Sequence, residues 1–167
     1  RQSAVSLSIG YEIGVTPLQM ALAYGALANG GVLMHPRVVS EVSDADGAVL
    51  ERPLPKAVRR VISETVALEL SRALEGVVED GTATAARLET FRVAGKTGTS
   101  RVNEGGSYVA GRYYASFVGF FPADDPQLVV FVKLDSPQSS YYGGTTAAPV
   151  MRAMMEGALA ARQTPLD

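Results

Sequence analysis

The residues best suited to chemistry are Lys96, Thr97, Gly98 and Thr99, which follow one another as a cation, a hydroxyl, a glycine and a second hydroxyl. An ammonium group and hydroxyls can together bind a carboxylate or another anion, because all of them donate hydrogen bonds. A glycine beside them lets a ligand approach the backbone closely. A phosphate-binding loop is excluded, because its first glycine would fall on Thr90. Taken alone, the four residues fit an anion site and an ordinary edge strand with an exposed lysine equally well.

Other polar residues do not form a second candidate site. The sequence has one histidine, His35, and no cysteine, which excludes sites that need two histidine ligands or any thiolate ligand. His35 lies before a proline and is better explained as part of a helix-to-strand connector. Asp124 and Asp125 lie between two prolines and predict a turn rather than a catalytic carboxylate pair. No base stands beside Ser100, Ser139 or Ser140, so none of them is predicted to be a nucleophile.

Length and composition indicate a folded domain. The chain has 167 residues, of which 47% are hydrophobic, enough for one domain with a real core. The formal net charge is -2 with acids and bases interspersed, so nucleic-acid binding is not indicated. No apolar run is long enough to span a bilayer, and no signal peptide is visible. Because the chain begins Arg-Gln-Ser without a start methionine, it is interpreted as an excerpt from a longer protein.

Three longer helices are predicted from their caps and from apolar residues at helical spacing. Thr16 caps the first, and Pro17 occupies the first helical position, where a missing N–H costs nothing. Thr145 or Thr146 is expected to cap the last. The expected buried stripe of the middle helix consists of Val66, Leu70, Leu74 and Val77 or Val78. The three helices span residues 16–29, 63–79 and 147–161.

Runs of β-branched and aromatic residues predict the strands. A hairpin is expected around residues 44–47, where Asp-Ala-Asp-Gly supplies turn chemistry. The two connections among the last three strands are short, which favours an antiparallel meander over parallel strands. The predicted fold is therefore α+β, with an antiparallel sheet flanked by helices. The strands span residues 37–42, 48–51, 91–99, 113–121 and 128–134, and polar loops span 100–111 and 135–146.

The surroundings of the four residues resemble a known family. Lys-Thr-Gly is one of three motifs shared by penicillin-binding proteins and serine β-lactamases, the others being Ser-x-x-Lys and Ser-x-Asn. The chain most resembles the class B penicillin-binding proteins. The form Tyr-Tyr-Gly-Gly favours the cell-division type, homologous to FtsI. The resembling blocks keep the family's order and lie at residues 14–19, 28–31, 93–99, 116–122, 141–144 and 147–150.

The resemblance implies a role for each residue of the motif. Lys96 and Thr99 would be catalytic: Lys96 supplies positive charge beside the reacting centre, and the backbone N–H of Thr99 is one of two oxyanion-hole donors. The hydroxyls of Thr97 and Thr99 would bind the carboxylate of the substrate. Gly98 would leave room for the substrate to lie along the strand edge like an added strand. No metal or organic cofactor is implied.

The other two motifs of the family are absent from this sequence. No lysine has a serine three positions before it, and neither asparagine has a serine two positions before it. In the family both motifs lie N-terminal to the region seen here. The resemblance therefore implies that residues 1–167 are the C-terminal part of a single transpeptidase domain, without the nucleophilic serine and its activating lysine.

The implied function of the whole protein is peptidoglycan D,D-transpeptidation, the cross-linking of stem peptides through an acyl-serine intermediate that β-lactams block. The fragment alone is expected to be inactive. A non-catalytic module that senses a ligand or scaffolds division proteins is the alternative. A serine β-lactamase is disfavoured, because nothing in the chain supplies a deacylating base.

The resemblance also implies partners and a location. Stem peptides, β-lactams and the N-terminal part of the same domain are the expected partners, together with membrane proteins of the division machinery. The expected location is the extracytoplasmic face of the bacterial cytoplasmic membrane, with an anchor in the missing N-terminal region. Without its N-terminal part, the chain is expected to expose an unusually large apolar surface and to self-associate.

Tyrosines and methionines receive structural assignments. The pairs Tyr113-Tyr114 and Tyr141-Tyr142 are expected to flank the cleft, with one member of each pair in the core. Three methionines of the last helix are interpreted as core filler: Met151, Met154 and Met155.

Overall fold

The structure is a computed structural model and describes residues 4–161. Within that range it has four α-helices, seven β-strands and one 3₁₀ turn at Thr84–Ala86. The helices are α1 (Ala4–Ser8), α2 (Pro17–Ala28), α3 (Glu64–Glu79) and α4 (Gly143–Ala161). The strands are β1 (Val32–Met34), β2 (Val42–Ser43), β3 (Val49–Glu51), β4 (Ala57–Arg60), β5 (Ala94–Glu104), β6 (Ser107–Phe121) and β7 (Leu128–Asp135).

Helix α2 begins where the sequence predicts. The Thr16 hydroxyl accepts the Gln19 N–H at 3.2 Å, and the Gln19 side chain accepts the Thr16 N–H at 2.8 Å. This reciprocal pair satisfies two backbone donors that the first turn leaves open. The helix ends before two glycines with positive φ, and a Cβ on Gly31 would lie 2.3 Å from the carbonyl oxygen of Ile62. The predicted cap and helix end are confirmed.

Helix α3 has the predicted cap, and its predicted buried stripe is confirmed at Val78 and at Leu74, which packs on the core. The Ser63 hydroxyl accepts the Val66 N–H at 3.2 Å. Val66 and Leu70 of the expected stripe are 40% and 42% exposed, so that prediction is wrong for them. The buried residues are the small ones one position later, together with Val78: Ala67, Ser71 and Val78. Ala67 and Ser71 are small, and α3 packs against β5.

Strands β5, β6 and β7 form an antiparallel sheet in that order. The predicted loop at residues 100–111 is wrong: β5 continues to Glu104 and returns through Gly105 and Gly106, whose φ values of 60° and 87° suit a tight turn. Ser100 pairs with Tyr114, and Glu104 pairs with Ser107. The polar loop is therefore the outer half of a long hairpin.

The predicted strand at residues 37–42 is also wrong, except at Val42. The segment that pairs instead is β1, which lies antiparallel to β4. The chain from residue 35 to 41 links β1 to β2 and forms no strand, and Val38 is 92% exposed. The hairpin turn is confirmed: β2 pairs with β3, and a carboxylate oxygen of Asp44 accepts the N–H groups of Asp46 and Ala48.

The three-stranded sheet is covered on both faces. One face carries Phe117 and Phe121 and packs against Met151 and Met155 of α4. The other face carries Ala94 and Phe120 and packs against α2 and against Leu74 of α3. Burial there raises the pKa of Tyr24. Met154 is 49% exposed, so only Met151 and Met155 act as core filler.

Helix α4 begins at Gly143, before the predicted start. Thr145 and Thr146 do not cap it but lie inside its first turn, where both hydroxyls donate to the Tyr142 carbonyl oxygen. The reason is a close approach to the sheet. A Cβ on Gly143 would lie 2.5 Å from the Ser116 carbonyl oxygen and 2.6 Å from that of Gly98, so only glycine admits this contact.

Large apolar side chains are exposed on several helices and on the segment between α1 and α2. Within residues 4–161, no helix combines the length and apolar character needed to cross a bilayer. Examples of the exposed side chains are Val5, Ile9, Ile13, Leu18 and Leu68.

Candidate active site

The motif lies on an edge strand. In the three-stranded sheet β5 pairs with β6 alone, so its other edge has no partner strand within residues 4–161. Thr97 pairs with Phe117 in the register, and Gly98 pairs with Ser116. Because alternate residues of a strand point to opposite faces, Thr97 and Thr99 share one face and Lys96 belongs to the other.

The Lys96 side chain folds back onto the neighbouring residue Thr97 of the same strand. Its Nζ donates to the Thr97 carbonyl oxygen at 3.0 Å and to the Thr97 hydroxyl at 3.3 Å. Lys96 is exposed, and no carboxylate pairs with it in the part of the chain that the structure describes. Its charge is thus held beside the edge without being neutralised, as an anion site requires.

The Thr97 hydroxyl has a second partner. Its Oγ1 lies 2.7 Å from Oγ1 of Thr82, which follows the end of α3. The sequence does not indicate Thr82 as a site residue, because it lies fifteen positions before Thr97 and belongs to no recognised motif. Close packing holds it there, because a Cβ on Gly144 would lie 2.2 Å from the Thr82 carbonyl oxygen.

The Thr99 hydroxyl is joined to the start of α4. Its Oγ1 accepts the Gly143 N–H at 3.1 Å. The hydroxyl oxygen therefore acts as an acceptor within the protein, and its own hydrogen stays free to be donated elsewhere. Gly143 thus ties the first turn of α4 to the motif.

Gly98 is confined on both sides. A Cβ on Gly98 would lie 2.5 Å from the Ser116 hydroxyl, and the backbone of Gly98 meets Gly143 on the opposite side. A larger side chain at position 98 would therefore displace the Ser116 hydroxyl.

An aromatic cluster lies near the motif, at the start of α4. Tyr113 stacks on Tyr141 with ring centroids 4.5 Å apart, and the Tyr141 hydroxyl donates to that of Tyr142 at 3.0 Å. This hydrogen bond is the main reason that the pKa of Tyr141 lies above its usual value. Tyr141 and Tyr142 are 41% and 55% exposed, so the prediction that one of them is core is wrong. The cluster borders an open cavity of about 420 Å³ that Arg112 and Ser136 also line.

Comparison with known proteins identifies the family. The family model described as the penicillin binding protein transpeptidase domain matches residues 1–156. The chain belongs to this family. The penicillin-binding protein resemblance drawn from Lys-Thr-Gly and the surrounding blocks is thereby confirmed.

Named relatives are similar over most of this chain. It is 39% identical to stage V sporulation protein D of Bacillus subtilis, in a match that covers 91% of this chain and 24% of the relative. It is 36% identical to penicillin-binding protein PbpB of Mycolicibacterium smegmatis, covering 97% of this chain and 26% of the relative. The chain thus spans about a quarter of the length of these penicillin-binding proteins.

Solved penicillin-binding protein structures share the fold. Penicillin-binding protein 3 of Mycobacterium tuberculosis in its apo form matches with a TM-score of 0.83 and 31% identity, covering 99% of this chain and 40% of that chain. Penicillin-binding protein A of the same organism, in a ceftriaxone acyl-enzyme complex, matches with a TM-score of 0.80 and 29% identity, covering 89% of this chain and 33% of that chain. The predicted α+β fold with an antiparallel sheet flanked by helices is confirmed.

Proposed function

We propose that this chain is the C-terminal part of the transpeptidase domain of a peptidoglycan D,D-transpeptidase, and that residues 1–167 belong to that single domain. The observation that carries the proposal is the geometry of the motif: an unneutralised Lys96 and two threonine hydroxyls meet at a free strand edge. Relatives such as PenA of Neisseria meningitidis, 34% identical, are named as probable peptidoglycan D,D-transpeptidases. None of the compared proteins favours a purely sensing or scaffolding module.

In this proposal the substrate peptide lies along β5 as an added strand. An edge strand offers its unpaired N–H and C=O groups to such a peptide. The terminal carboxylate is bound by the hydroxyls of Thr97 and Thr99 and by the charge of Lys96. The backbone N–H of Thr99 stabilises the developing oxyanion, a contribution that is typically about 3 kcal/mol for one preorganised donor.

The reaction needs a nucleophile from outside this sequence, since neither Ser-x-x-Lys nor Ser-x-Asn occurs in it. We infer that an N-terminal part of the same domain supplies the serine and packs on the exposed apolar side chains. The 167-residue chain alone is then inactive. β-Lactams would acylate that serine in the full-length protein and occupy the same edge; the structurally similar penicillin-binding protein A of Mycobacterium tuberculosis forms a ceftriaxone acyl-enzyme complex.

The location follows from the substrate. Peptidoglycan lies outside the cytoplasmic membrane, so the domain would work on the extracytoplasmic face, with an anchor in the N-terminal region. The Tyr-Tyr-Gly-Gly block supports the division type over the elongation type, with membrane proteins of the division machinery as partners.

Labelling with a fluorescent penicillin tests this proposal. The full-length protein should keep the label after denaturation, whereas the 167-residue chain should not. Lys96→Ala in the full-length protein should reduce the labelling rate on the order of 100-fold. Lys56→Ala is the matched control, because Lys56 is an exposed lysine in the connection to β4, away from the motif. Equal labelling of both lysine variants would contradict the assigned role of Lys96.

A further inference from the structure

The proton arrangement around Thr97 depends on Thr82. A threonine hydroxyl has one hydrogen to donate and two lone pairs with which to accept. One lone pair of the Thr97 oxygen already accepts from Nζ of Lys96 at 3.3 Å. The contact of 2.7 Å with the Thr82 hydroxyl can run in either direction, and the direction decides what Thr97 can offer to a ligand.

The two directions have different consequences. If Thr97 donates to Thr82, its only hydrogen is used within the protein and cannot reach a substrate. If Thr82 donates to Thr97, both lone pairs of Thr97 are filled and its hydrogen must point to a third group. A carboxylate only accepts hydrogen bonds, so it can be bound by Thr97 in the second arrangement alone.

Contacts around Thr82 favour the second arrangement. Within residues 4–161, Thr97 is the one hydrogen-bond partner of the Thr82 hydroxyl, so no other side chain competes for its proton. The residue is held by its neighbours: the Ala83 N–H donates to the Val77 carbonyl oxygen at 3.1 Å, and Gly144 packs on the Thr82 carbonyl group. Thr82 is exposed.

We propose that Thr82 is a positioning residue, whose hydroxyl donates to Thr97 and so directs the Thr97 hydrogen toward an anionic ligand. Thr99 is prepared in the same way, because its oxygen accepts the Gly143 N–H. The two threonines, two positions apart on one face of β5, then present parallel donors to a single carboxylate. This inference rests on the proposed function, since it names the group that orients the proposed carboxylate site.

The test uses the full-length protein and two ligands that differ only in the carboxylate. Acylation rates are measured for benzylpenicillin and for its methyl ester. Thr82→Val keeps the shape of the side chain and removes the donor. It should slow acylation by benzylpenicillin about tenfold, the loss expected when a hydrogen bond to a charged group is weakened. Acylation by the methyl ester should change less than about twofold, well below the effect of such a hydrogen bond.

Two further variants separate positioning from folding. Thr82→Ser retains a hydroxyl and should restore most of the rate with benzylpenicillin. Thr84→Val is the matched control, since Thr84 is an exposed threonine in the adjacent 3₁₀ turn. An equal loss with both ligands in Thr82→Val, or no loss with either, would overturn the proposal.

A binding measurement distinguishes failure of this inference from failure of the proposed function. If the wild-type protein is not acylated, its equilibrium affinity for an N-acetylated D,D-dipeptide is compared with that for the C-terminal amide. A preference for the free acid that disappears in Thr82→Val would support the role of Thr82 while contradicting the reaction. The same affinity for acid and amide in the wild-type protein would overturn both.

Discussion

The motif end of the three-stranded sheet and the small sheets of residues 32–60 are both antiparallel, yet they differ in how tightly their backbones are packed. At the motif, a Cβ on Gly95 would lie 2.5 Å from the Phe117 ring, and one on Gly143 would lie 2.5 Å from a backbone oxygen. In the small sheets every residue of β2, β3 and β4 is exposed, and Gly47 has no neighbour within 4 Å of a Cβ. Tight packing fixes the hydroxyls of the motif in place, whereas the small sheets position no such group.

The largest effect should come from filling the contact between α4 and the motif. Gly143→Ala places a methyl group against two backbone oxygens, which should lower the free energy of unfolding of the full-length protein by about 2–3 kcal/mol and abolish most penicillin labelling. Gly157→Ala in the same helix meets nothing within 4 Å and should raise stability by roughly 0.5–1 kcal/mol. Denaturant unfolding of both variants checks the pair. Similar changes in the free energy of unfolding for Gly143→Ala and Gly157→Ala would mean that the contact between α4 and the motif is not tightly packed.

A smaller effect on stability is expected at Gly98. Gly98→Val should lower the free energy of unfolding by about 1–3 kcal/mol, because its Cβ would lie 2.5 Å from the Ser116 hydroxyl. Adding Ser116→Ala should recover part of this stability without restoring penicillin labelling, since the new side chain still lies at the strand edge. Recovery of labelling together with stability would show that Gly98 serves the fold and does not admit substrate.

The smallest effect should come from the exposed connection between β1 and β2, which joins the two small sheets. Val38→Ser replaces a side chain that is 92% exposed, so the free energy of unfolding should change by less than about 0.5 kcal/mol. The penicillin labelling rate should stay the same as in the wild-type protein. A large change in either quantity would mean that this region is covered or coupled to the site in the full-length protein.

The features that could be predicted from the sequence are those set by neighbouring residues. Thr16 and Ser63 cap their helices through contacts three positions away, and the Asp44 turn closes within four. Lys-Thr-Gly is likewise a contiguous signal. The caps and the turn therefore followed from local chemistry, whereas the family came from the resemblance of Lys-Thr-Gly and the surrounding blocks to penicillin-binding proteins.

The features that were missed depend on tertiary contacts. Nothing near Thr82 in the sequence indicates that its hydroxyl meets Thr97, because the contact forms only when α3 packs against β5. In the first half of α3 the small residues Ala67 and Ser71 are buried in place of Val66 and Leu70, which depends on how the helix packs against β5. Residues 100–111 were predicted to form a loop because they are mostly polar. They form a hairpin because the two strands pair with each other.

The central claim is that this chain provides the anion-binding edge of a site whose nucleophile lies outside these 167 residues. The most direct measurement is the position of the acyl group: the full-length protein is treated with penicillin, digested, and the modified peptide is identified by mass spectrometry. We expect a single acylated serine N-terminal to this chain, with the modification lost when that serine is replaced by alanine. A penicillin adduct on a serine within this chain, such as Ser100 or Ser140, would contradict the account.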